Sequence, residues 1–257
     1  MLDQWDMSGR VVLVTGGARG IGRGITEGFL AAGAQVVICG RTEPEELPSA
    51  DGRAATFISA DVRDADAVEA LVAATVDAFG RLDVLINNAG GSPSADSATA
   101  SPKFSKAIIE LNLLAPLVCA QKANAVMQTQ PDGGVIVNIA SVSGLRPSPG
   151  TAAYGAAKAG VLNLTQTLAV DYAPKVRVNA ISAGLIRTEQ SHLHYGDEAG
   201  IAAVGATVPL GRMGTPSDIA GACLFLASPS AAYVSGANLL VHGGGEAPAY
   251  LDAADAG

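Results

Sequence analysis

The run Val11-Val12-Leu13-Val14 leads directly into Thr15-Gly16-Gly17-Ala18-Arg19-Gly20-Ile21-Gly22, and a helical pattern follows over residues 21–32 and stops at Gly33. Few folds accept a buried strand that breaks into spaced glycines and restarts as a helix. Gly16 lets the chain turn tightly, Gly20 lets a phosphate approach the backbone, and Gly22 lets the helix pack on the sheet. The helix N-terminus then offers unbonded N–H groups and the positive end of its dipole, a seat for an anion. A plain glycine-rich turn is the bland alternative, and the strand-loop-helix context weighs against it.

The rest of the chain alternates in the same way. Apolar runs at 36–39, 55–59, 84–86, 135–139, 176–181 and 238–241 read as strands. Residues 64–79, 103–128, 152–172 and 217–226 read as helices, with Pro116 a kink or boundary in the second. Residues 41–51 and 92–102 read as loops, and 188–209 as irregular chain holding two of the three histidines. Alternating strands and helices imply an α/β fold, a doubly wound parallel sheet of Rossmann type. With no internal linker or repeat, a single domain over 1–257 is expected, ending in a loosely ordered tail at 247–257. A composition of 49% hydrophobic and 16% charged residues suits a sheet buried on both faces and further burial in an oligomer.

The net charge of −8 and the absence of any lysine or arginine run argue against a nucleic-acid partner. The acidic start without an apolar signal core, and the lack of about 18 uninterrupted apolar residues, argue against a membrane span. Cys39, Cys119 and Cys223 are far apart in apolar surroundings, so they read as buried thiols in a reducing, cytoplasmic setting.

Chemistry enters with Tyr154-Gly155-Ala156-Ala157-Lys158. The i, i+4 spacing puts both side chains on one helix face. A nearby ammonium lowers a tyrosine pKa from its ordinary value of about 10, so the pair reads as an acid/base tuned toward neutrality. Asp61 follows the third strand, where a carboxylate can accept from an adenine amino group. Asn88, Ala89 and Gly90 end the fourth strand at the edge where such folds bind ligands. Ser141 follows the fifth strand and can hydrogen-bond a substrate oxygen, with Ser143 a rival. His192 and His194 read as substrate-loop or surface residues, and no metal is expected.

These motifs, in this order from about Gly9 to Gly245, resemble the short-chain dehydrogenase/reductase family, in a single-domain, 3-oxoacyl reductase-like branch. The resemblance is carried by the glycine loop, Asp61-Val62, Asn87-Asn88-Ala89-Gly90, Asn112, Ser141, Tyr154-x3-Lys158 and the segment 179–188. It implies Tyr154 as catalytic acid/base, Ser141 as the group that orients the carbonyl or hydroxyl, and Lys158 as holder of the nicotinamide ribose. It further implies that Asn112 supports a helix kink and a proton-relay water. Cofactor contacts are implied for Gly16, Arg19, Gly20, Ile21 and Gly22, for Asp61, Val62, Asn88, Ala89 and Gly90, and for Gly184, Ile186 and Thr188. Ala183-Gly184 stands where the family commonly has Pro-Gly, a change expected to loosen the wall beside the nicotinamide.

The expected activity is therefore NAD(P)-dependent interconversion of a secondary alcohol and a ketone, with a small-molecule substrate. NADP(H) is expected over NAD(H): the acid that bonds the ribose of NAD is replaced by Gly40, while Arg41 and Arg19 can grip a 2′-phosphate. Two Ala/Leu-rich helices suggest a homo-oligomer, a tetramer. Residues 189–208 are expected to form a lid over the substrate. The alternatives are a catalytically silent cofactor-binding regulator and an epimerase or dehydratase of the wider family.

Overall fold

The computed structural model describes residues 5–246, so the tail expected at 247–257 lies outside the described residues. In chain order the elements are β1 (Val11–Thr15), α1 (Gly20–Ala31), β2 (Gln35–Gly40), a hairpin of β3 (Ser49–Ala50) and β4 (Arg53–Ala54), β5 (Thr56–Ser59), α2 (Ala65–Phe79) and β6 (Val84–Asn87). Then come α3 (Pro102–Ile109), a π turn (Glu110–Leu114), α4 (Ala115–Met127), β7 (Gly134–Ser141), α5 (Ala152–Asp171) and β8 (Val176–Ala183). The short helices α6 (His192–Tyr195) and α7 (Glu198–Ala206) precede α8 (Pro216–Ala227) and β9 (Asn238–Val241).

Seven strands form one parallel sheet in the order β5-β2-β1-β6-β7-β8-β9, a doubly wound α/β fold of Rossmann type. The central strands are mostly apolar because both faces are covered, with Asn138, Arg177 and Asn179 as polar interruptions, while the edge strands β5 and β9 are partly exposed. Successive residues still point to opposite sides. Val12 and Val14 join Ile25, Phe29 and Leu30 of α1 and Ile219, Cys223 and Leu226 of α8 in one core layer. Leu13, Val37 and Cys39 face Leu71 of α2, Cys119 and Ala120 of α4 and Leu168 of α5 in the other. The three cysteines are buried free thiols.

Strand order reverses at β1, so the chain leaves β1 and β6 in opposite directions and opens a crevice at their carboxyl ends. Local chemistry closes the backbone there. The amides of Asn88 and Ala89 both donate to Thr15 Oγ1 at 3.0 Å, and Asn88 Nδ2 donates to the carbonyls of Thr15 (2.9 Å) and Gly16 (3.2 Å).

Three segments differ from the sequence reading. The helix expected over 103–128 is interrupted by the π turn. Pro116 has no N–H to offer the Asn112 carbonyl, and the Ala115 amide reaches back five residues to Glu110. The irregular stretch 188–209 contains α6 and α7, the latter capped by Asp197 accepting from Gly200 N at 3.0 Å. The loop 41–51 runs into the β3–β4 hairpin, whose turn uses Asp51 and Gly52 at positive φ. The helical piece Pro102–Met127 spans 26 residues and is apolar enough to cross a bilayer by length and composition. In this fold it lies on the sheet, with Ala115, Cys119, Ala120, Ala123 and Met127 buried.

Helix α1 packs on α8 through glycine. A Cβ at Gly24 would lie 2.3 Å from the Pro216 Cβ and 2.9 Å from its backbone, neither of which can swing away. Gly24→Ala is therefore expected to destabilise the chain by about 1 kcal/mol, overpacking of about 1–3 kcal/mol outweighing a gain of about 1 kcal/mol in helix propensity. Urea unfolding checks this, and a stabilised variant would show that α8 yields to the methyl group.

Candidate active site

The candidate site lies along the carboxyl ends of β1, β6, β7 and β8. On the cofactor side the glycine loop is shaped by close contacts. A Cβ at Gly22 would sit 2.2 Å from the Gly16 carbonyl oxygen and 2.5 Å from Asn88 Nδ2. One at Gly16 would press on Ala89 at 3.2 Å. Gly16 (φ 64°) and Gly20 (φ 53°) also adopt the left-handed backbone that glycine tolerates. The loop thus holds its amides at the start of α1 with no side chain of the glycines themselves in front. An anion already uses one of them: the Glu189 carboxylate accepts from Gly20 N at 3.0 Å. Thr188 is beside the same glycine, its Cγ2 3.6 Å from where a Cβ would stand. A cradle of free backbone, a carboxylate bound to it and a threonine facing it fit the pyrophosphate and carboxamide of a dinucleotide.

The other sequence-predicted contacts divide by what they do. The side chains of Ile21 and Ile186 pack at the edge of the α1 core layer, and Val62 is buried in the opposite layer. Val62 can meet a cofactor through its backbone, whereas Ile21 and Ile186 are only partly buried and keep some side-chain surface open. Ile186 is also fixed by a bridge to Gly214. Arg19 is at the N-cap of α1, where its side chain makes no capping bond. Arg41 is exposed just past the end of β2, close enough to Asp61 to bias its titration. Asp61 itself is engaged. The Arg63 guanidinium and amide bond its carboxylate at 2.5–3.2 Å and hold its pKa down at about 2. Sequence reading passed over Arg63, which lies two residues on and makes this edge more basic.

Gly184 is needed where it stands, since a Cβ there would lie 2.6 Å from the His242 Cβ. Ala183, in place of the usual proline, is buried in β8 in register with Ser141 on one side and Val241 on the other. Ladder pairing on both sides fixes its backbone within the sheet.

Across the crevice, Tyr154, Lys158, Asn112 and Ser141 converge. Lys158 is buried, donates from Nζ to the Ile139 carbonyl at 2.8 Å and lies 5.5 Å from the Tyr154 ring centre. A Cβ at Gly90 would lie 3.3 Å from that Nζ and 2.7 Å from Asn112 Oδ1, so Gly90 leaves room for both. Asn112 belongs to the π turn. It accepts from Gly91 N (2.9 Å) and donates to the carbonyls of Gly91 and Ile108 (both 3.0 Å), which ties the helix break to the end of the β6 loop. Of the two serines it is Ser141 whose hydroxyl acts on the Tyr154 phenol, while Ser143 gives its amide to Ser141 Oγ at 3.1 Å.

The electrostatics correct one expectation. Burial pushes the Tyr154 phenol up, and only the Ser141 hydrogen bond pulls it back. The lysine is directed at Ile139, and burial drops its own pKa to about 8, so it does not depress the tyrosine in the ligand-free protein. His192 and His194 are occupied locally, His192 Nδ1 against the Glu189 carbonyl at 2.9 Å and His194 against the Tyr195 ring. The third histidine, His242, lines a cleft next to Ser141 together with Val142, Leu145, Arg146, Leu185, Val208, Leu240 and Glu246. The sequence places 189–208 over the substrate and gives no sign of residues 240–246. No motif marks them, and only the parallel pairing of β9 with β8 brings them to the site.

Comparison with known proteins agrees with this architecture. The family model described as enoyl-(acyl carrier protein) reductase matches residues 16–246. A 3beta-hydroxysteroid dehydrogenase 1 from Eggerthella lenta is 36% identical, the match covering 93% of this chain and 94% of that protein. A 3-oxoacyl-[acyl-carrier-protein] reductase from Synechocystis sp. is also 36% identical, over 93% of this chain and 97% of the relative. The ligand-free structure of Thermoplasma acidophilum aldohexose dehydrogenase superposes with a TM-score of 0.86 at 33% identity, covering 93% of this chain and 94% of that one. The chain belongs to the short-chain dehydrogenase/reductase family of oxidoreductases. Members of that family use NAD(P)(H).

Burying Lys158 should leave a signature in stability. Its pKa is about 8 in the folded chain against 10.5 for the ordinary group. Between those values the unfolded chain holds a proton that the folded chain has lost, so stability rises with pH across that window. Below it the folded protein carries the full burden of a buried ammonium, at most about 3 kcal/mol. Lys158→Met is expected to be at least as stable as wild type at pH 7 and to lose the rise between pH 8 and 10.5. Melting temperature against pH decides; a variant markedly less stable at pH 7 would show that the Ile139 hydrogen bond outweighs the desolvation.

Proposed function

We propose that the protein interconverts a secondary alcohol and a ketone with NADP(H), Tyr154 serving as the acid/base. The observation that supports this reading is the Lys158 ammonium 5.5 Å from the Tyr154 ring centre, with Ser141 near enough to the phenol to influence its titration and Asn112 beside the lysine across Gly90. When bound, the reduced nicotinamide supplies a hydride to the carbonyl carbon. The residues of the chain do the rest. Ser141 and Tyr154 donate to the carbonyl oxygen, Tyr154 passes its proton as negative charge grows there, and Lys158 positions the ribose and its charge near the phenol.

Tyr154→Phe keeps the ring and removes the transferable proton. It is expected to bind NADPH as wild type does and to lose at least about 100-fold in kcat, within the range of general acid catalysis. Retention of a tenth of wild-type kcat would overturn the assignment.

The NADP(H) preference rests on the end of β2. A Cβ at Gly40 would meet its neighbours at 3.8 Å, so the strand has room for the acid that an NAD site uses, and the chain does not place one. Arg41 comes next, with Arg63 on the adjoining edge. A guanidinium fork there suits a 2′-phosphate. Arg41→Asp is expected to lower kcat/KM for NADPH by tenfold or more and to move the preference toward NADH, about 1.4 kcal/mol for each factor of ten. Steady-state kinetics with both cofactors checks it, and an NADH value at or above the NADPH value in wild type would refute the preference.

The description of the matching family model favours a second reading, reduction of an enoyl thioester. That chemistry delivers the proton to carbon, whereas two hydroxyls on one side suit an oxygen. A ketone and an enoyl thioester assayed side by side separate the two. The three buried thiols support a reducing compartment such as the cytoplasm.

We also read the chain as a homotetramer. Leu114 and Val170 stand exposed on the helical layer formed by the π turn and α5, and Tyr233 stands exposed beside the edge strand β9. Two separate apolar faces suit two different two-fold contacts. Light scattering at micromolar concentration is expected to give four times the chain mass, and a monomer would refute it.

A further inference from the structure

The cleft beside Ser141 encloses about 220 Å³ between the turn after β7, the end of β8 and the end of β9. Its walls are Val142, Leu145, Leu185, Val208 and Leu240, none of which offers a side-chain hydrogen bond. An apolar body fits those walls better than a row of hydroxyls would. The polar groups gather around the same cleft. Arg146 and Glu246, one hundred residues apart in sequence, form an ion pair, and His242 shares the lining. Arg146 Nη1 is fixed on the Pro147 carbonyl at 2.9 Å, which leaves Nη2 to the carboxylate. Tyr195 of α6, from the segment expected to act as a lid, lies within electrostatic reach of both charges.

A half-exposed ion pair adds little to stability. As a recognition device it does more, because the Glu246 carboxylate already marks where a planar anion sits on the guanidinium. Resting on the alcohol–ketone reading above, we propose that the cleft takes a keto or hydroxy acid with an apolar body, whose carboxylate exchanges with Glu246 on Arg146. Arg146 is then a specificity-determining residue, and Glu246 is its resident counter-ion. The exchange keeps the local charge balanced: one carboxylate leaves for water as another arrives.

Binding of octanoate and of its neutral methyl ester to the full chain tests this by calorimetry, without any need for turnover. Octanoate is expected to bind wild type about tenfold tighter than the ester, the scale of a charge-assisted hydrogen bond. Arg146→Met should abolish that difference, Arg146→Lys should restore part of it, and Glu246→Gln should tighten octanoate several-fold. Unchanged melting temperatures establish that the variants are folded. Equal affinity of acid and ester in wild type, or an acid/ester ratio unmoved by Arg146→Met, would overturn the proposal, as would weaker octanoate binding in Glu246→Gln. Reduction of 7-oxooctanoate against its methyl ester, followed at the nicotinamide absorbance, separates the two readings. Discrimination in binding with neither ketone reduced would support the carboxylate site and overturn the reaction; both ketones reduced with no discrimination would do the reverse.

Discussion

The structure depends on how closely the backbone approaches itself at the carboxyl ends of β1 and β6. Gly22 lies against the Gly16 carbonyl, and Asn88 spans both strand ends by donating to Thr15 and Gly16. A methyl group at Gly22 would have to displace backbone, so the start of α1 is fixed relative to the sheet by exclusion as much as by bonding. From that fixed point α1 runs down one face with its own glycines against α8, and the β6 loop runs out toward Asn112 and Lys158. The glycine loop and the Tyr154–Lys158 pair are thus tied to the same few ångströms of chain.

The second half of the site is held by a defect. An uninterrupted helix from Pro102 to Met127 would carry Asn112 in ordinary register. Pro116 removes the amide that Asn112 would otherwise receive, the chain widens to a π turn, and the Asn112 side chain is left to bond both backbone groups of Gly91. Breaks of this kind cost helical hydrogen bonding and persist where surrounding contacts compensate. Here the compensation is the link between helix layer and β6 loop, on the route from Gly90 to Lys158.

Much of this was legible in sequence, for reasons that can be named. The central strands were readable because a doubly covered parallel sheet favours largely apolar runs, and the glycine loop because its neighbours on both sides were regular. Tyr154 and Lys158 stood out because the i, i+4 spacing puts a phenol and an ammonium on one helix face, and the fold does bring the two together. The features that escaped were those set by packing between distant segments. The hairpin turned on Asp51-Gly52 was hidden inside a polar stretch. Helices α6 and α7 bury too few apolar residues to show a period, Ile201 being the one large apolar side chain buried in α7. Residues 240–246 reach the cleft only because β9 pairs with β8. The pairing of Arg63 with Asp61 is local in sequence yet carries no motif.

The sign of the Tyr154 shift shows how composition and geometry differ as guides. Residue identity alone puts an ammonium four positions from a phenol and suggests a lowered pKa. The fold places the ammonium 5.5 Å from the ring centre, points it at the Ile139 carbonyl and buries it until its own proton is weakly held. Burial then governs both groups, raising the acid and lowering the base. Each is poised nearer its neutral form than its ordinary pKa implies, which is a resting state able to donate a proton to an incoming carbonyl. Charge that develops on the substrate oxygen, or a ribose hydroxyl drawn to Lys158, has an immediate partner in a medium of low polarity, where such interactions are strongest. The desolvation of Lys158 that weakens the ligand-free fold is thus the same term that would make the assembled site effective.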